Sequence, residues 1–269
     1  EIAAADFDRD GSDDLAVLRA DGQVTVFWSE TQRQDVHLPG NVGLCVAGGD
    51  VDGDGRSDLV VGTSGETLWA VRSGGKRKWL PPESYSAHAA SQVVVGRVDG
   101  DNVPDLVLTR FISARAAGGE QAGAGQGARD GVIVLWGRSA GTKGPLFSRD
   151  RQLRLAAPAA AASAFGDLDG DGHTDLAVAV HQANGTFNGK SRAWLGDGKR
   201  GFREIVGGFR TSGTTDVAIA PANKPGSRGR VVFCNSIGGR YDEAVPVHVY
   251  WGGRDGFDPK RVWKIPFQS

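Results

Sequence analysis

Methionine is absent from the 269 residues, cysteine occurs twice and proline eleven times. The lack of methionine, also at position 1, indicates a mature chain or an excised piece of a longer one. No apolar run approaches the roughly 18 residues of a membrane helix, which argues against membrane insertion. A net charge of -1 also disfavours a dedicated nucleic-acid-binding protein.

Helical periodicity is missing too. No window shows a sustained 3.6-residue apolar pattern, so the sequence predicts almost no helix. Glycine, in contrast, is abundant at 41 residues, roughly twice its usual share, as expected for a chain with many turns.

Aspartate recurs in four short segments with the same spacing. We call them loop 1 (Asp6–Asp14), loop 2 (Asp50–Asp58), loop 3 (Arg97–Asp105) and loop 4 (Asp167–Asp175). A fifth copy, Val217–Val231, keeps the frame and has lost every aspartate. The four loops hold 16 of the 32 acidic residues, and the other 16 face 31 lysines and arginines. Negative charge is therefore concentrated in a few places, which indicates a bound cation.

Each loop lies between the first two of four short predicted strands, and the third strand carries a tryptophan. Four strands per repeat, arranged around an axis, predict an all-β fold: a β-propeller of four-stranded antiparallel blades. A β-sandwich is the alternative, and it does not explain why the acidic turn returns at the same place. We expect one domain over 1–269, with repeats at about 1–40, 41–85, 86–158, 159–210 and 211–269.

The pattern Asp-x-Asp-x-Asp-Gly-x-x-Asp-Leu before a strand, with a later Trp-Gly or Gly-x-Gly-x-x-x-Phe, resembles the FG-GAP/VCBS repeat. That family includes the integrin α-subunit propeller and many secreted bacterial propellers. The resemblance implies an extracellular, periplasmic or cell-surface protein. Such relatives usually have seven or eight blades, so the five repeats predict either a five-bladed ring or part of a seven-bladed ring. We favour the second, in which further blades or subunits of the same assembly are partners.

The loop spacing also predicts calcium sites. Aspartates at loop positions 1, 3, 5 and 9 and the carbonyl at position 7 supply the oxygen ligands that calcium prefers. Each such loop could alternatively be a solvated turn, but three intact copies favour about three structural Ca²⁺ ions. The predicted ligands are Asp6, Asp8, Asp10, the Ser12 carbonyl and Asp14; Asp50, Asp52, Asp54, the Arg56 carbonyl and Asp58; and Asp167, Asp169, Asp171, the His173 carbonyl and Asp175.

Loop 3 is a weaker candidate metal site. It keeps Asp99, Asp101 and Asp105 but has Arg97 at position 1. The Arg97 guanidinium could take the place of a cation by pairing with these carboxylates.

Long connections between the second and third strands of repeats 3, 4 and 5 suggest a recognition surface. In a four-stranded meander these connections lie on the face opposite the acidic loops. The alternative is that they are solvated loops without a partner. The predicted ligand-face residues are His181, Gln182, Asn184, Phe187, Asn188, Tyr241, Asp242 and Glu243.

The function predicted from these features is binding or scaffolding, with a protein or a polysaccharide as partner. The alternative is a polysaccharide-acting enzyme of lyase or hydrolase type on the same propeller. The sequence shows no catalytic His/Asp/Ser pattern, so no catalytic residue is predicted. Cys45 and Cys234 could form one disulfide, but they fall in distant repeats, which favours two buried free thiols.

Overall fold

The computed structural model describes residues 1–40, 43–110, 131–139, 141–182, 186–221, 224, 227–237, 245–253 and 256–266. Within these ranges every regular element is a β strand. No helix there is long and apolar enough to cross a membrane. The all-β prediction is therefore confirmed, and so is the predicted scarcity of helix in the part of the chain described.

The first two antiparallel sheets match the first two repeats. Sheet 1 runs in the order β1 (Ile2–Ala5), β2 (Asp14–Leu18), β3 (Val24–Phe27) and β4 (Arg33–Val36). The second repeat contains β5 (Gly43–Gly49), β6 (Asp58–Thr63), β7 (Thr67–Val71), β8 (Ser73–Gly75), β9 (Lys78–Trp79) and β10 (Glu83–Ser86). Sheet 2 has the order β10-β7-β6-β5, and β8 and β9 form a separate hairpin.

The remaining repeats form three further sheets, each ordered as in the sequence. Sheet 3 contains β11 (Gln92–Gly96), β12 (Asp105–Arg110), β13 (Gly131–Leu135) and β14 (Gln152–Ala156). Sheet 4 contains β15 (Ala160–Gly166), β16 (Asp175–Val180), β17 (Asn188–Gly196), β18 (Phe202–Glu204) and β19 (Phe209–Ser212). Sheet 5 contains β20 (Thr214–Ala220), β21 (Arg230–Asn235), β22 (Val247–Gly253) and β23 (Gly256–Ile265).

These five sheets are the four-stranded blades of a β-propeller, as the repeats predicted. Each acidic loop connects the first strand of its sheet to the second. Position 9 of the loop starts the second strand, and it pairs with the last residue of the first strand, as in Ala5 with Asp14 and Gly166 with Asp175. The number of blades in the complete ring stays a prediction.

Sheet 4 has an interrupted outer strand. β18 pairs with one end of β17, Trp194–Gly196, and β19 pairs with the other end, Asn188–Ser191. Between them the chain passes through Gly207 and Gly208, whose φ angles are 94° and 60°. Residues other than glycine rarely adopt such φ angles. The two glycines therefore let the backbone leave the sheet edge and return.

The chain divides into two compact units. Compact unit 1 comprises Glu1–Arg97, Asn102–Leu108 and Ile133–Leu153, and compact unit 2 comprises Val98–Asp101, Thr109–Val132 and Arg154–Ser269. In compact unit 1 the core is mostly aliphatic; one cluster contains Val24, Val26, Leu59 and Val61, and another Leu68, Leu106, Leu108, Ile133 and Leu135. The core of compact unit 2 is more aromatic and includes Phe209, Phe233, Tyr250 and Phe257. The prediction of a single domain over 1–269 stays a prediction.

The second strands of sheets 2 and 4 are the most deeply buried strands of those sheets. All six residues of β6 and all six of β16 are buried. Both faces of these strands are therefore packed, which explains their continuous apolar sequences after the acidic loops. A rigid strand of this kind holds the end of each loop in a defined place.

Candidate functional site

Three groups of aspartates bring their carboxylates together in loops 1, 2 and 4. In each group, one carboxylate oxygen per residue lies within 4.8 Å of the others. Clustered negative charges repel one another unless a cation is present, so each group could hold a metal ion. The groups are Asp6, Asp8 and Asp10; Asp50, Asp52 and Asp58; and Asp167, Asp169 and Asp175.

The aspartate at position 1 organises its own loop. The Asp50 carboxylate accepts hydrogen bonds from the amides of Gly53 at 2.7 Å and Gly55 at 3.0 Å. Asp167 does the same with Gly170 and Gly172 at 2.6 and 3.0 Å. The backbone therefore curls around this carboxylate before any ion is considered, which is the preorganisation that a cation site requires.

The aspartate at position 3 meets an arginine in all four loops. In loops 1, 2 and 3 this carboxylate is 6%, 8% and 4% exposed. A fixed positive charge beside a buried carboxylate lowers the repulsion within the loop. The pairs are Asp8 with Arg77 at 2.7 Å, Asp52 with Arg72 at 3.1 Å, Asp99 with Arg200 at 2.8 Å and Asp169 with Arg228 at 4.0 Å.

The loop 1 arginine belongs to the β8–β9 hairpin of the next repeat. The Arg77 guanidinium lies 5.6 Å from the Trp28 ring centroid, so a cation–π contact adds to its ion pair with Asp8. Trp79 of the same hairpin stacks on Trp28 at 5.9 Å and meets the edge of Phe7 at 5.6 Å. The hairpin is thereby anchored beside the first acidic loop.

Position 5 does not behave alike in the three loops. Asp10 joins its cluster, whereas Asp54 and Asp171, also predicted as ligands, lie outside theirs. All three accept a hydrogen bond from the amide at position 7, that of Ser12, Arg56 or His173, at 2.8–2.9 Å. The position 7 carbonyls stay predicted ligands.

The aspartate at position 9 ties the loop to the sheet. Asp58 is fully buried and accepts amide hydrogen bonds from Val51 at 3.0 Å and from Ser73, just after β7, at 2.8 Å. Burial raises the pKa of Asp58 to about 7 and that of Asp175 to about 6, although backbone hydrogen bonds act in the opposite direction. Their place in the clusters is compatible with metal binding, and their hydrogen bonds join the loop to the end of the third strand.

Loop 1 differs at this position. The Asp14 carboxylate accepts the Phe7 amide at 3.0 Å and lies outside the loop 1 cluster, although it was predicted as a ligand. Burial raises its pKa as well. In loop 1 the cluster therefore uses positions 1, 3 and 5, whereas loops 2 and 4 use positions 1, 3 and 9.

Loop 3 contains a cation supplied by the protein. The Arg200 Nε, in the turn between β17 and β18, lies 2.8 Å from Asp99, and a terminal nitrogen lies 3.8 Å from Asp101. The sequence predicted Arg97 for this role, and that pairing stays a prediction. Arg200 lies 101 positions from Asp99 along the chain, so the loop sequence gives no sign of it. Asp105 retains the structural role of position 9 and accepts the Gly137 amide at 2.9 Å.

The predicted ligand face is described only in part. His181 and Phe187 are half-buried and their rings meet edge to face with centroids 5.3 Å apart. Gln182 is half-buried, and the exposed Asn188 begins β17. Asn184, Tyr241, Asp242 and Glu243 lie outside the described residues. The recognition role of this face stays a prediction.

Sequence reasoning missed a basic cleft in compact unit 2. The cleft has a volume of about 570 Å³, and no described acidic residue lines it. Of the predicted ligand-face residues that the structure describes, none lines it either. The lining residues are Lys190, Gly207, Gly208, Arg210, His248, Tyr250, Lys260, Val262 and Lys264. The only local signal is the alternation Lys260, Val262, Lys264, which puts three side chains on one face of β23.

Both cysteines are free thiols. Cys45 is buried as predicted, whereas Cys234 is only half-buried. Burial raises the pKa of Cys45 to about 12, so this thiol is protonated at neutral pH and is a packing group rather than a nucleophile.

Comparison with protein families identifies the repeats. The FG-GAP-like repeat profile matches residues 6–61 and 50–108, and the FG-GAP repeat profile matches residues 159–195. These matches contain all four acidic loops. No curated protein matches the chain.

A solved structure shares the fold. It is the BP39L lectin from Burkholderia pseudomallei, which aligns with a TM-score of 0.60 and 18% identity over 98% of this chain and 69% of the lectin chain. Similarity at this level of identity shows a common architecture, consistent with the blades described above.

Proposed function

Because the chain belongs to the FG-GAP repeat family, we propose that it is a calcium-stabilised β-propeller module that binds a glycan outside the cytoplasm. One observation carries the proposal: almost the whole chain shares the fold of a lectin. The acidic loops recur at equivalent places in the blades of this chain. The repeated loops supply stability, and binding is assigned to other surfaces of the blades.

Calcium is the ion that best fits the three clusters. Every side chain in them is a carboxylate, and backbone amides surround the carboxylate at position 1. Hard oxygen donors of this kind favour Ca²⁺ or Mg²⁺ over zinc or copper, and three carboxylates in one site suit the larger ion, which takes more protein ligands. Extracytoplasmic calcium is abundant enough to fill such sites, which supports the proposed localisation.

A structural role for the ions follows from their surroundings. Position 1 is held by backbone amides, position 3 by an arginine, and position 9 by the neighbouring strands. A bound cation would neutralise the remaining repulsion and join the first two strands of the blade. In this arrangement the aspartates act as ligands and as hydrogen-bond acceptors, not as an acid–base pair.

The proposal is tested by presenting the full chain to a glycan array in calcium and in excess chelator. We expect the calcium-loaded chain to retain at least one glycan class and the chelated chain to lose it as the blades loosen. The double variant Asp50→Asn with Asp167→Asn should resemble the chelated chain, and Asp150→Asn, an exposed aspartate outside the acidic loops, should resemble the wild type.

Two results would overturn the proposal. A folded, calcium-loaded chain that retains no glycan but captures a protein would favour a protein-binding scaffold. Release of shorter saccharides from a bound polysaccharide would favour the polysaccharide-acting enzyme.

A further inference from the structure

The basic cleft concentrates positive charge that the described residues do not neutralise. Four of its lining side chains are lysine or arginine. All four are exposed, and none forms an ion pair with a carboxylate in the part of the chain that the structure describes. Because half of the 32 acidic residues are in the four acidic loops, the 31 lysines and arginines leave an excess of positive charge elsewhere in the chain, and the cleft collects part of it.

Two of the charges face each other directly. Lys190 on β17 is the register partner of Arg210 on β19, so both side chains stand on the same face of sheet 4. Like charges at directly opposite positions destabilise a strand pair. An anion placed between the two side chains would convert this repulsion into attraction.

The other two charges come from sheet 5. Lys260, Val262 and Lys264 alternate along β23, and all three line the cleft. Lys264 is paired in register with His248, and Val262 with Tyr250. Charges from two sheets therefore converge on one space, with an apolar side chain between the two lysines of β23.

Buried polar groups hold the floor of the cleft. The Tyr250 hydroxyl donates to the Arg210 carbonyl at 2.6 Å, and His248 Nδ1 lies 2.9 Å from the same oxygen. Burial, and to a smaller extent the charge of Lys264, lower the pKa of His248, so His248 is neutral at pH 7. The positive charge of the cleft therefore comes from the lysines and Arg210.

The interrupted outer strand shapes the side of the cleft beside Lys190. A Cβ atom at Gly208 would lie 3.0 Å from the Ser191 carbonyl oxygen and 3.2 Å from Lys190 Cβ. Glycine therefore lets the connecting segment pass close to the stem of Lys190, whose charged end remains exposed.

We propose that this cleft binds the acidic group of a glycan, a uronate carboxylate or a sulfate ester, and so makes the module selective for anionic polysaccharides. The inference rests on the proposed glycan-binding function and adds the chemical class of the ligand and the residues that contact it. Lysine and arginine form charge-assisted hydrogen bonds with both acidic groups. The cleft volume is within the range of small-molecule sites, so it accommodates one or two sugar units.

A nucleic acid is the competing polyanion. Binding of a nucleic acid strand would call for a charged stripe that follows many phosphates, together with exposed aromatic rings for base stacking. The four charges instead line one open cleft, and Tyr250 in its lining is 1% exposed. This geometry favours a single acidic group over a continuous backbone.

The test measures binding of the calcium-loaded full chain to matched probes by isothermal titration calorimetry. Oligogalacturonate is compared with its fully methyl-esterified form, and dextran sulfate with dextran, so that the members of each pair share a sugar backbone and only one of them carries negative charge. We expect the charged member to bind about tenfold or more tightly than its neutral counterpart. The two pairs distinguish a carboxylate from a sulfate as the preferred group.

Two variant pairs approach the cleft from its two sheets. Lys190→Gln with Arg210→Gln and Lys260→Gln with Lys264→Gln should each weaken binding of the charged probe about tenfold or more. Lys143→Gln with Lys199→Gln, which are exposed and outside the cleft, should leave it within about twofold. The charge-preserving pair Lys190→Arg with Arg210→Lys should retain binding, which separates loss of charge from loss of fold.

The possible failures are distinguishable. Equal binding of charged and neutral probes, unchanged in both cleft variants, would overturn the acidic-glycan inference and leave glycan binding intact. No binding of any saccharide would overturn the proposed function itself. A mixed-sequence DNA oligonucleotide could bind more tightly than either charged glycan and lose this binding in the cleft variants. That result would show that the ligand of the cleft is a phosphate polymer and would overturn the inference.

Discussion

The acidic loops and the basic cleft differ in sign of charge and in how the chain assembles them. Each acidic cluster comes from nine consecutive residues at most, as in Asp50, Asp52 and Asp58. The charges of the cleft come from Lys190, Arg210 and two lysines beyond residue 259, on two different sheets. A local turn is enough to gather the first set, whereas the second set meets only after strand pairing within each sheet and the packing of the two sheets.

The two regions also differ in how much of their charge the protein itself balances. Every acidic loop has backbone amides around position 1 or an arginine beside position 3, and in loop 3 Arg200 meets two carboxylates. The basic side chains of the cleft have no such described partner. This difference fits the proposed roles, in which the loops hold a cation within the fold and the cleft presents its charge to an outside ligand.

The largest expected effect is that of calcium removal. Each filled site adds about 2.7 kcal/mol to the free energy of unfolding at a calcium concentration 100 times the Kd, so excess chelator should lower the melting temperature by many degrees. Differential scanning fluorimetry in calcium and in chelator measures the difference. Asp50→Asn should reduce this calcium-dependent increment, whereas Asp99→Asn in the arginine-filled loop 3 should not. A melting temperature indifferent to calcium would contradict structural metal sites.

Variants of the position 9 aspartate can distinguish its role as a hydrogen-bond acceptor from its role as a metal ligand. Asp58→Asn and Asp105→Asn each replace a buried carboxylate that accepts a backbone amide. Both should lower the free energy of unfolding by about 1–3 kcal/mol in chelator, because an amide cannot accept equally at both ends. When urea unfolding is repeated in calcium, the loss of unfolding free energy should become larger for Asp58→Asn only. Equal calcium dependence of the two variants would mean that Asp58 is not a ligand.

Position 4 distinguishes loop 1 from the other loops. Arg9 has a φ of 61°, where Gly53, Gly100 and Gly170 have 80°, 76° and 79°. Gly53→Arg should cost about 1 kcal/mol, since the surrounding space is open and only the backbone is strained. Arg9→Gly should give a smaller gain, because glycine also increases the entropy of the unfolded chain. Thermal unfolding of both variants checks the opposite signs, and a stabilising Gly53→Arg would refute this explanation.

Removal of one charge from the cleft should stabilise the fold slightly, in contrast to the substitutions in the acidic loops. Lys190→Gln should raise the free energy of unfolding by about 0.2–1 kcal/mol at low salt, because it removes the like-charge pair with Arg210. Lys143→Gln, an exposed lysine elsewhere, serves as the control. The difference should disappear in 0.5 M salt, where the Debye screening length has shortened to roughly a few ångströms. Destabilisation by Lys190→Gln would show that this side chain has a structural partner.

The smallest effect concerns pH. His248 has a lowered pKa in the folded chain because it is buried, so the unfolded chain binds the proton more readily. Its contribution to stability is present above the unfolded pKa of about 6.5 and is lost as pH falls towards the folded value. The wild type should lose slightly more stability between pH 7.5 and 5 than His248→Asn does, with the exposed His37→Asn as the control. Identical pH profiles would contradict this role.

Much of the fold could be predicted because its signals are local and repeated. The acidic nonapeptide, the apolar strand after it and the tryptophan-bearing strand recur in register, and the five sheets follow this order. The break between β18 and β19 could not be predicted, since Gly207 and Gly208 resemble any other turn glycines in the sequence.

The candidate site was predicted less evenly. Positions 1 and 3 form part of every cluster, but Asp14, Asp54 and Asp171 lie outside them. Their spacing is the same as that of the clustered residues, so spacing alone does not decide which carboxylates meet. Metal binding by Asp14, Asp54 and Asp171 stays a prediction. The arginines that pair with the position 3 aspartates could not be predicted from the loop sequences. Arg77, Arg200 and Arg228 reach these aspartates from other segments of the chain.

The sequence by itself determined the blades and the acidic loops, because β-strand alternation, glycine turns and carboxylate spacing act over fewer than ten residues. Tertiary structure alone decided which aspartates meet, which arginines approach them and where the basic cleft forms. Ion pairs and clefts depend on distances between atoms, and Lys190 and Lys264 become neighbours of one cleft only after two sheets have formed. Charge patterns within a turn can be read along the chain, whereas charge patterns across strands require the folded register.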